Sequence, residues 1–483
     1  MKRIHTFIVL FAVMTVGFAL SALAAVTAVR VLPGEVYLPS ERITIIIEVT
    51  GDPGAVLVME TPPAEWKIFA SSGGILSDGV ITWTLGSFDG AETLRYYVTP
   101  PKTATGEAVF SGIVGDREIG GMSSMTAYEL PADVRLPQTT GPYSIGTFLV
   151  YLIDESRGET FTDDPNDKRE LMVQVWYPAN PPEGQSPGLV CPGFAAVRSF
   201  FMAPFSVQTY FWDGLEVLVG NAVWDAAVLN RGLQYPVLIY SHGNGGFRWM
   251  NVSLFEELAS HGYIIASIDH TYNAIATQFP DGRVIGRWGD VNPSLHEQDV
   301  QFVLDQLEKL DTGQGFEILD GLLDLGRVGV FGMSMGGGIA TRTMQDDPRF
   351  KAGVILDWSA EVQELDQPVM FLHDGSSPGN PVLRAGGYDC RIRGTAHDDF
   401  SDAPLWWRLL ALPGNWPGSV ADDPVRVTRV IADYTVAFFD KILKGKTVPF
   451  LDGPSPDYPE VEFAIYGNPQ GLSGISGKQW AMY

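Results

Sequence analysis

The pattern Gly-x-Ser-x-Gly, which can hold a nucleophilic serine, occurs three times: GQSPG around Ser186, GMSMG around Ser334 and GSSPG around Ser377. With 53 glycines in 483 residues the bare pattern decides little. Chemistry discriminates better. A serine at a strand-to-helix turn has strained backbone angles, and the residues two before and two after it must be small to avoid collision. The residue that follows must offer an N–H to the oxyanion of an acyl-transfer reaction. In GQSPG and GSSPG that residue is Pro187 or Pro378, and proline has no N–H. No strand pattern runs into Ser186, and no helix pattern starts after Pro378. Ser334 meets every requirement. RVGVFG reads as an apolar strand, Gly332 and Gly336 flank the serine, Met335 supplies the amide, and GGGIATRTMQ opens a helix whose N-terminal dipole favours negative charge.

A serine hydroxyl needs a base to accept its proton and a carboxylate to orient that base. Of seven histidines, only His373 and His397 follow Ser334. His373 sits within the apolar run PVMFLHD, where a core or strand-end role is expected. His397 lies in RIRGTAHDDFSD, in the loop leaving the strand YDCRIRG, and is the expected base. Two acids compete: Asp357 ends the run KAGVILD and Asp374 ends PVMFLHD. Both sit at carboxyl ends of strands, where open α/β sheets build their sites. Residue by residue they are nearly even, and placement after the later strand favours Asp374. A second oxyanion donor is expected from the Gly-rich turn after YPVLIYSHG, at the amide of Asn244. His242 reads as a structural donor, and His270 as either a pocket border or a strand end. The acids Asp398, Asp399 and Asp402 beside His397 read as a solvated face that would raise the imidazole pKa, with a calcium site as the alternative.

These residues need a framework. At 483 residues the chain is long enough for two domains. Its 45% apolar and 11% aromatic content is globular. The net charge of −25 disfavours nucleic acid and anionic membrane surfaces as partners. Residues 1–24, MKRIHTFIVL onward to Ala22-Leu23-Ala24, have the basic start, apolar run and small-x-small end of a signal peptide. A secreted or extracytoplasmic protein is expected, or a membrane-anchored one if the segment is not cleaved. Cys191 and Cys390 match no zinc spacing and leave open a disulfide or two buried thiols.

Residues 26–128 contain short β-branched and aromatic runs separated by Gly, Pro, Asp and Ser, as expected of an all-β sandwich of immunoglobulin-like size. Trp66, Trp83, Tyr96 and Tyr97 read as core, with a surface or polymer-binding face as the alternative. Residues 129–142, ELPADVRLPQTTGP, read as a linker. Over 143–450, apolar strands alternate with helical patterns; PSLHEQDVQFVLDQLEKL places Val300, Phe302, Val303, Leu307 and Leu310 on helical spacing. This implies an α/β fold with a mostly parallel sheet and flanking helices. The aromatic segment 181–233 breaks the rhythm and reads as an inserted cap. There Phe200, Phe201, Phe205, Tyr210, Phe211 and Trp212 either line an acyl site or pack helices. Residues 451–483 read as a C-terminal extension.

Taken together, LMVQVWYPA, YPVLIYSHGNGGFR, LASHGYIIASIDH, the FPDGRV stretch, GMSMGGG, FKAGVILDW and IRGTAHDDFSD resemble the secreted platelet-activating-factor acetylhydrolase family within the α/β-hydrolases, from about GPYSIG to residue 444. The resemblance implies an α/β-hydrolase fold and an ester hydrolase without cofactor or metal. It implies Asp357 as the acid, reversing the preference for Asp374, and the amides of Asn244 and Met335 as oxyanion donors. Two positions depart from the family pattern: the elbow is Gly-Met-Ser rather than Gly-His-Ser, and Asn244 replaces a typically apolar residue. Both alter the pocket rather than the reaction. The expected substrate is a small-molecule, lipid or polymeric ester. By resemblance it is a short-acyl or oxidised phospholipid. The alternatives are a cutinase-like polyester hydrolase or a surface-binding protein on an inactive scaffold.

Overall fold

The computed structural model describes residues 26–70, 72–202, 209–288, 292–311, 319–358, 364–376, 382–467 and 479–480. The expected signal peptide, Phe205 and Ser377 lie outside the described residues. No described helix is long and apolar enough to cross a membrane. The chain divides into two compact units between Glu129 and Leu130.

The first unit is β-rich. Ile43–Thr50 alternates buried and exposed residues, placing Ile43, Ile45, Ile47 and Val49 in the core, as the two-residue period of a half-buried strand requires. It pairs antiparallel with Ala91–Thr99. Two five-stranded sheets contribute to one core cluster. Trp66, Trp83 and Tyr96 are buried in that core, so they are not the binding face weighed above. Tyr97 lies beneath the Arg42 guanidinium, 5.7 Å from its ring centre. The polar atoms inside the core are matched. Glu60 accepts from Arg30 Nε at 2.6 Å, Arg30 Nη2 at 2.7 Å and the Tyr96 hydroxyl at 2.9 Å.

The second unit is built on an eleven-stranded sheet. In chain order its strands are β1 Ser144–Gly158, β2 Lys168–Ala179, β3 Ala222–Trp224, β4 Tyr235–Ser241, β5 Ile264–Asp269, β6 Leu323–Met333, β7 Phe350–Leu356, β8 Val369–His373, β9 Gly387–Ile392, β10 Val461–Tyr466 and β11 Gln479–Trp480. Across the sheet the order is β3-β1-β2-β5-β4-β6-β7-β8-β9-β10-β11. The six central strands, β5 to β9, pair in parallel. Their continuous apolar runs follow from burial on both faces: every residue of β4 and β5 is buried. The helices of this unit are α1 Phe194–Met202, α2 Thr209–Leu215, α3 Val252–Ser260, α4 Pro293–Leu310, α5 Met335–Asp346, α6 Ala403–Leu409 and α7 Pro424–Ile442 among the described residues, and α3, α4, α5 and α7 pack on the central strands. In α4 the predicted Val300, Val303, Leu307 and Leu310 are buried and Phe302 packs partly against the same core.

Three boundaries differ from the sequence reading. The expected linker 129–142 is held by the second unit: Val134 and Arg135 pair with Leu218 and Val219, and Thr140 N–H donates to Glu257. The cap segment 181–233 gives β3 to the sheet, beside β1, so the segment is not wholly an insertion. The extension 451–483 supplies β10, antiparallel to β9. In each case backbone pairing decides membership, and no side-chain pattern announces it. Cys191 and Cys390 are separate buried thiols, and burial pushes the Cys191 thiol up to about 12.

Candidate active site

Ser334 lies at the bend between β6 and α5 with φ 56° and ψ −131°, a region that costs a non-glycine residue on the order of 1–3 kcal/mol. The neighbours explain why the bend holds. A Cβ on Gly332 would stand 2.3 Å from the Gly336 carbonyl oxygen, and one on Gly336 would stand 2.0 Å from the carbonyl oxygen of Ser241. Glycine at both positions therefore lets the end of β4 close against the elbow. Ser334 N–H donates to Leu356 O at 2.8 Å, and Gly337 N–H donates to Ser334 O at 2.8 Å. The other two Gly-x-Ser-x-Gly matches do not compete: Ser186 is exposed in a loop, and Ser377 is undescribed.

Leu356 ends β7, and the next residue, Asp357, is buried with φ 47°. Its carboxylate faces two ways. Oδ2 lies 2.5 Å from His397 Nδ1, and Oδ1 accepts from Asp374 N–H at 2.9 Å. Asp374 spends its own carboxylate on the amide of Ser376, at 2.6 Å. The structure thus brings Asp357, not Asp374, to the imidazole. His397 begins a short 3₁₀ turn, His397–Phe400, and its ring centre is 6.4 Å from that of Trp358. The hydrogen bond that His397 Nδ1–H donates to Asp357 raises the His397 pKa above its ordinary value. Burial opposes that rise, and the charges of Asp357, Asp398 and Asp374 reinforce it. With Nδ1 turned to the carboxylate, Nε2 is the nitrogen left for a proton acceptor's role. The Ser334 side chain makes no capping bond to its helix.

Two backbone N–H groups, those of Asn244 and Met335, have no acceptor among the described residues. Met335 opens α5. Asn244 lies in the turn after β4, next to Gly243, where a Cβ would sit 3.0 Å from Ser334 Cβ. The peptide between Gly243 and Asn244 is fixed from its other end. The Gly243 carbonyl accepts from His242 Nδ1 at 2.7 Å and from Gly246 N–H at 2.9 Å. In a trans peptide this aims the Asn244 N–H the opposite way. His242 is buried and its pKa falls to about 3, first because of burial and then because of His270. It is therefore neutral, with Nδ1 the donor and Nε2 accepting from His270 N–H at 3.2 Å.

His270 continues inward, with Nε2 2.9 Å from Ser241 Oγ and Nδ1 2.9 Å from Asp299 Oδ2. Asp299 in turn receives Arg169 Nε at 3.1 Å and Nη2 at 2.7 Å. Burial would raise the Asp299 pKa, but Arg169 and His270 outweigh it and hold the carboxyl well below the usual range. This second Ser-His-Asp chain is fully buried at all three side chains, so it braces the turn rather than meeting substrate. Of its members only His242 and His270 drew notice in the sequence. Asp299 carried one legible signal, a charge on the apolar face of α4.

Other readings resolve simply. His373 is a strand-end residue, with Nε2 2.8 Å from Asp389. The acidic run is not a solvated face: Asp399 and Asp402 are buried. Asp399 accepts from Ala396 N–H, and Asp402 accepts from Ser253 N–H, both at 2.8 Å. Asp398, which does act on His397, takes the Trp416 indole N–H at 3.0 Å. Among the described residues no group of acids, histidines and cysteines could hold a metal ion. Phe201, Phe211 and Trp212 of the cap are buried in an aromatic cluster with Phe194, Trp249 and Trp406, so they pack helices.

Residues 129–284 match the family model described as platelet-activating factor acetylhydrolase, isoform II. Platelet-activating factor acetylhydrolase of Cavia porcellus is 26% identical over 360 residues, covering 64% of this chain and 78% of that protein. A probable 1-alkyl-2-acetylglycerophosphocholine esterase of Arthroderma benhamiae is 24% identical over 407 residues, covering 71% and 97%. A ferulic acid esterase from Streptomyces cinnamoneus superposes with TM-score 0.56 at 27% identity, covering 69% of this chain and 99% of that one. This chain is a carboxylic ester hydrolase. The second unit of the hydrolase has the α/β-hydrolase fold, and the sequence resemblance to the acetylhydrolases holds. The family match covers the turn bearing Asn244 but ends before Ser334, Asp357 and His397, so the site in the hydrolase rests on geometry.

Proposed function

We propose that the hydrolase cleaves carboxylic esters through an acyl-serine intermediate at Ser334. The observation that carries this reading is the Asp357–His397 pair, joined to the Ser334 bend through Leu356. Ser334 Oγ attacks the ester carbonyl while its proton passes to His397 Nε2, and hydrogen bonds of this kind commonly tighten only when substrate binds. Asp357 holds the ring's orientation and offsets the imidazolium charge. The carbonyl oxygen gains charge and accepts from Asn244 and Met335 N–H, each such donor being worth about 3 kcal/mol. Collapse expels the alcohol, which takes the proton from Nε2. Water then repeats the sequence on the acyl-serine and releases the acid. No step requires a metal or an organic cofactor.

The substrate reading is a short-acyl ester of the phospholipid type, supported by what the two sequence relatives are named for. Export by residues 1–24 accompanies it, supported by their composition, as does an immunoglobulin-like reading of residues 26–128, supported by two sheets about one core. The test is direct. Ser334→Ala should remove p-nitrophenyl acetate turnover, and an organophosphonate ester should label the wild-type peptide that contains Ser334. Turnover retained by the variant would end the acyl-serine reading.

A further inference from the structure

The turn that carries Asn244 is bound on its outer side to a cation. A Cβ on Gly245 would lie 3.2 Å from Arg287 Nη1 and 3.6 Å from its Cζ, so the guanidinium lies directly against this glycine, whose φ is 70°. The backbone fixes the approach. Ile275 N–H donates to Gly246 O at 3.0 Å, Arg287 N–H donates to Ile275 O at 3.2 Å, and Trp288 N–H donates to Tyr272 O at 2.7 Å. Arg287 thus hangs from the oxyanion turn by two successive backbone bonds. Gly243, two residues earlier, approaches Ser334 Cβ. Chain geometry therefore keeps the guanidinium within about 18 Å of the Ser334 hydroxyl, within reach of the far end of an extended ester substrate.

Arg287 is exposed, and its side chain makes no ion pair or hydrogen bond among the described residues. Arg231 and Arg408 share this, but most arginines of the unit do not. Arg157, Arg169, Arg198, Arg248, Arg283 and Arg349 of the same unit are all held by carboxylates. A chain of net charge −25 has acids to spare, yet among the described residues none pairs with this one. Two exposed aromatic residues lie next to it along the chain or against its neighbour Gly286. Trp288 is 70% exposed, and Phe200, 37% exposed, has its ring 2.6 Å from where a Cβ on Gly286 would lie. An exposed guanidinium with no ion pair among the described residues, beside an oxyanion turn and close in the fold to exposed aromatic residues, suits an anion carried on an organic body.

We infer that Arg287 is a specificity-determining residue that binds an anionic group, carboxylate or phosphate, on the part of the substrate remote from the ester bond. This deepens the esterase reading above and rests on it. The field of the whole chain repels anions, so the local cation decides whether such a substrate is accepted. The group binds ground state and transition state alike, and its contribution falls on KM.

The test compares kcat/KM for matched esters in the full chain. One arm sets mono-p-nitrophenyl glutarate against p-nitrophenyl butyrate. The other sets a short-acyl glycerol ester bearing a phosphate against the same ester without it. In Arg287→Gln the anionic-to-neutral ratio should fall about tenfold in at least one arm, through KM, and Arg287→Lys should recover part of it. A fall in the glutarate arm alone identifies a carboxylate, and a fall in the phosphate arm alone a phosphate. An unchanged ratio in both arms overturns the inference, provided the neutral ester is still turned over. Loss of Ser334 dependence would sink the acyl-serine reading but leave this ratio readable, so the two failures are separate.

Discussion

Ser334 donates its N–H to the carbonyl of Leu356 at 2.8 Å, and the residue after Leu356 is Asp357. One backbone bond therefore couples the bend that presents the hydroxyl to the carboxylate that holds His397. Both Ser334 and Asp357 stand at positive φ, 56° and 47°. The two strained positions directly follow neighbouring parallel strands, β6 and β7.

Asp357→Asn should lower kcat on p-nitrophenyl acetate by about 10³–10⁴-fold, since an amide at Oδ2 would favour the wrong imidazole tautomer. Asp374→Asn should change it by less than about tenfold, because Asp374 contributes its amide to Asp357. Equal losses in the two variants would return the acid assignment to an even choice.

The pH profile follows from the raised pKa of His397. The base must be neutral to act, so kcat/KM should rise with pH through a midpoint above about 6.5. Asp398→Asn removes one of the charges that raise it and should move the midpoint down. Stability runs the other way. Protonated His397 is favoured by folding, so its contribution is present below about 6.5 and is lost as pH rises through the folded value.

His242→Ala should lower kcat by about 10–100-fold with little change in KM, because it removes one of the two bonds that hold the Gly243 carbonyl and loosens the direction of the Asn244 N–H. Steady-state kinetics on a neutral ester reads the split. A rise in KM with kcat intact would mean that the turn binds substrate but does not hold the oxyanion.

Gly336→Ala should leave little folded, active protein. The added Cβ would lie 2.0 Å from a backbone oxygen of β4, and neither partner can yield without opening the elbow. Expression with measurement of thermal unfolding checks this, and near-native stability with near-native activity would contradict the packing described.

Asp402 is fully buried, and its pKa is raised to about 7, chiefly by burial. A carboxyl raised in the folded state stabilises the protein below about pH 4, and that stability is lost as pH rises to about 7. Asp402→Asn can keep both bonds to Ser253, since the hydroxyl can accept as well as donate. Its unfolding free energy should therefore fall less than that of wild type between pH 4 and 8, by on the order of 4 kcal/mol, with a correspondingly smaller fall in Tm. Parallel Tm curves would show that Asp402 does not titrate in this window.

The strained serine elbow at Ser334 was legible because its constraints are local. Small neighbours, a donor amide after the serine and a strand-to-helix switch all fall within a dozen residues, and proline at 187 and 378 removed the competitors by covalent structure alone. The burial pattern of α4 and the parallel centre of the sheet were legible for the same reason, as periodicities within single segments. Asp357 against Asp374 was not, because both end apolar strands and only the register of three strands decides which carboxylate meets His397. The sheet's outer members β3 and β10 were hidden likewise, since backbone pairing leaves no mark on short strands. Arg287 and Asp299 matter through neighbours 42 residues or more before them, Gly245 and Arg169. A linear chain specifies which groups exist and how each segment curls. Which charge is answered, and which is left open at the rim of the site, is decided only when distant segments come within a few ångströms of one another.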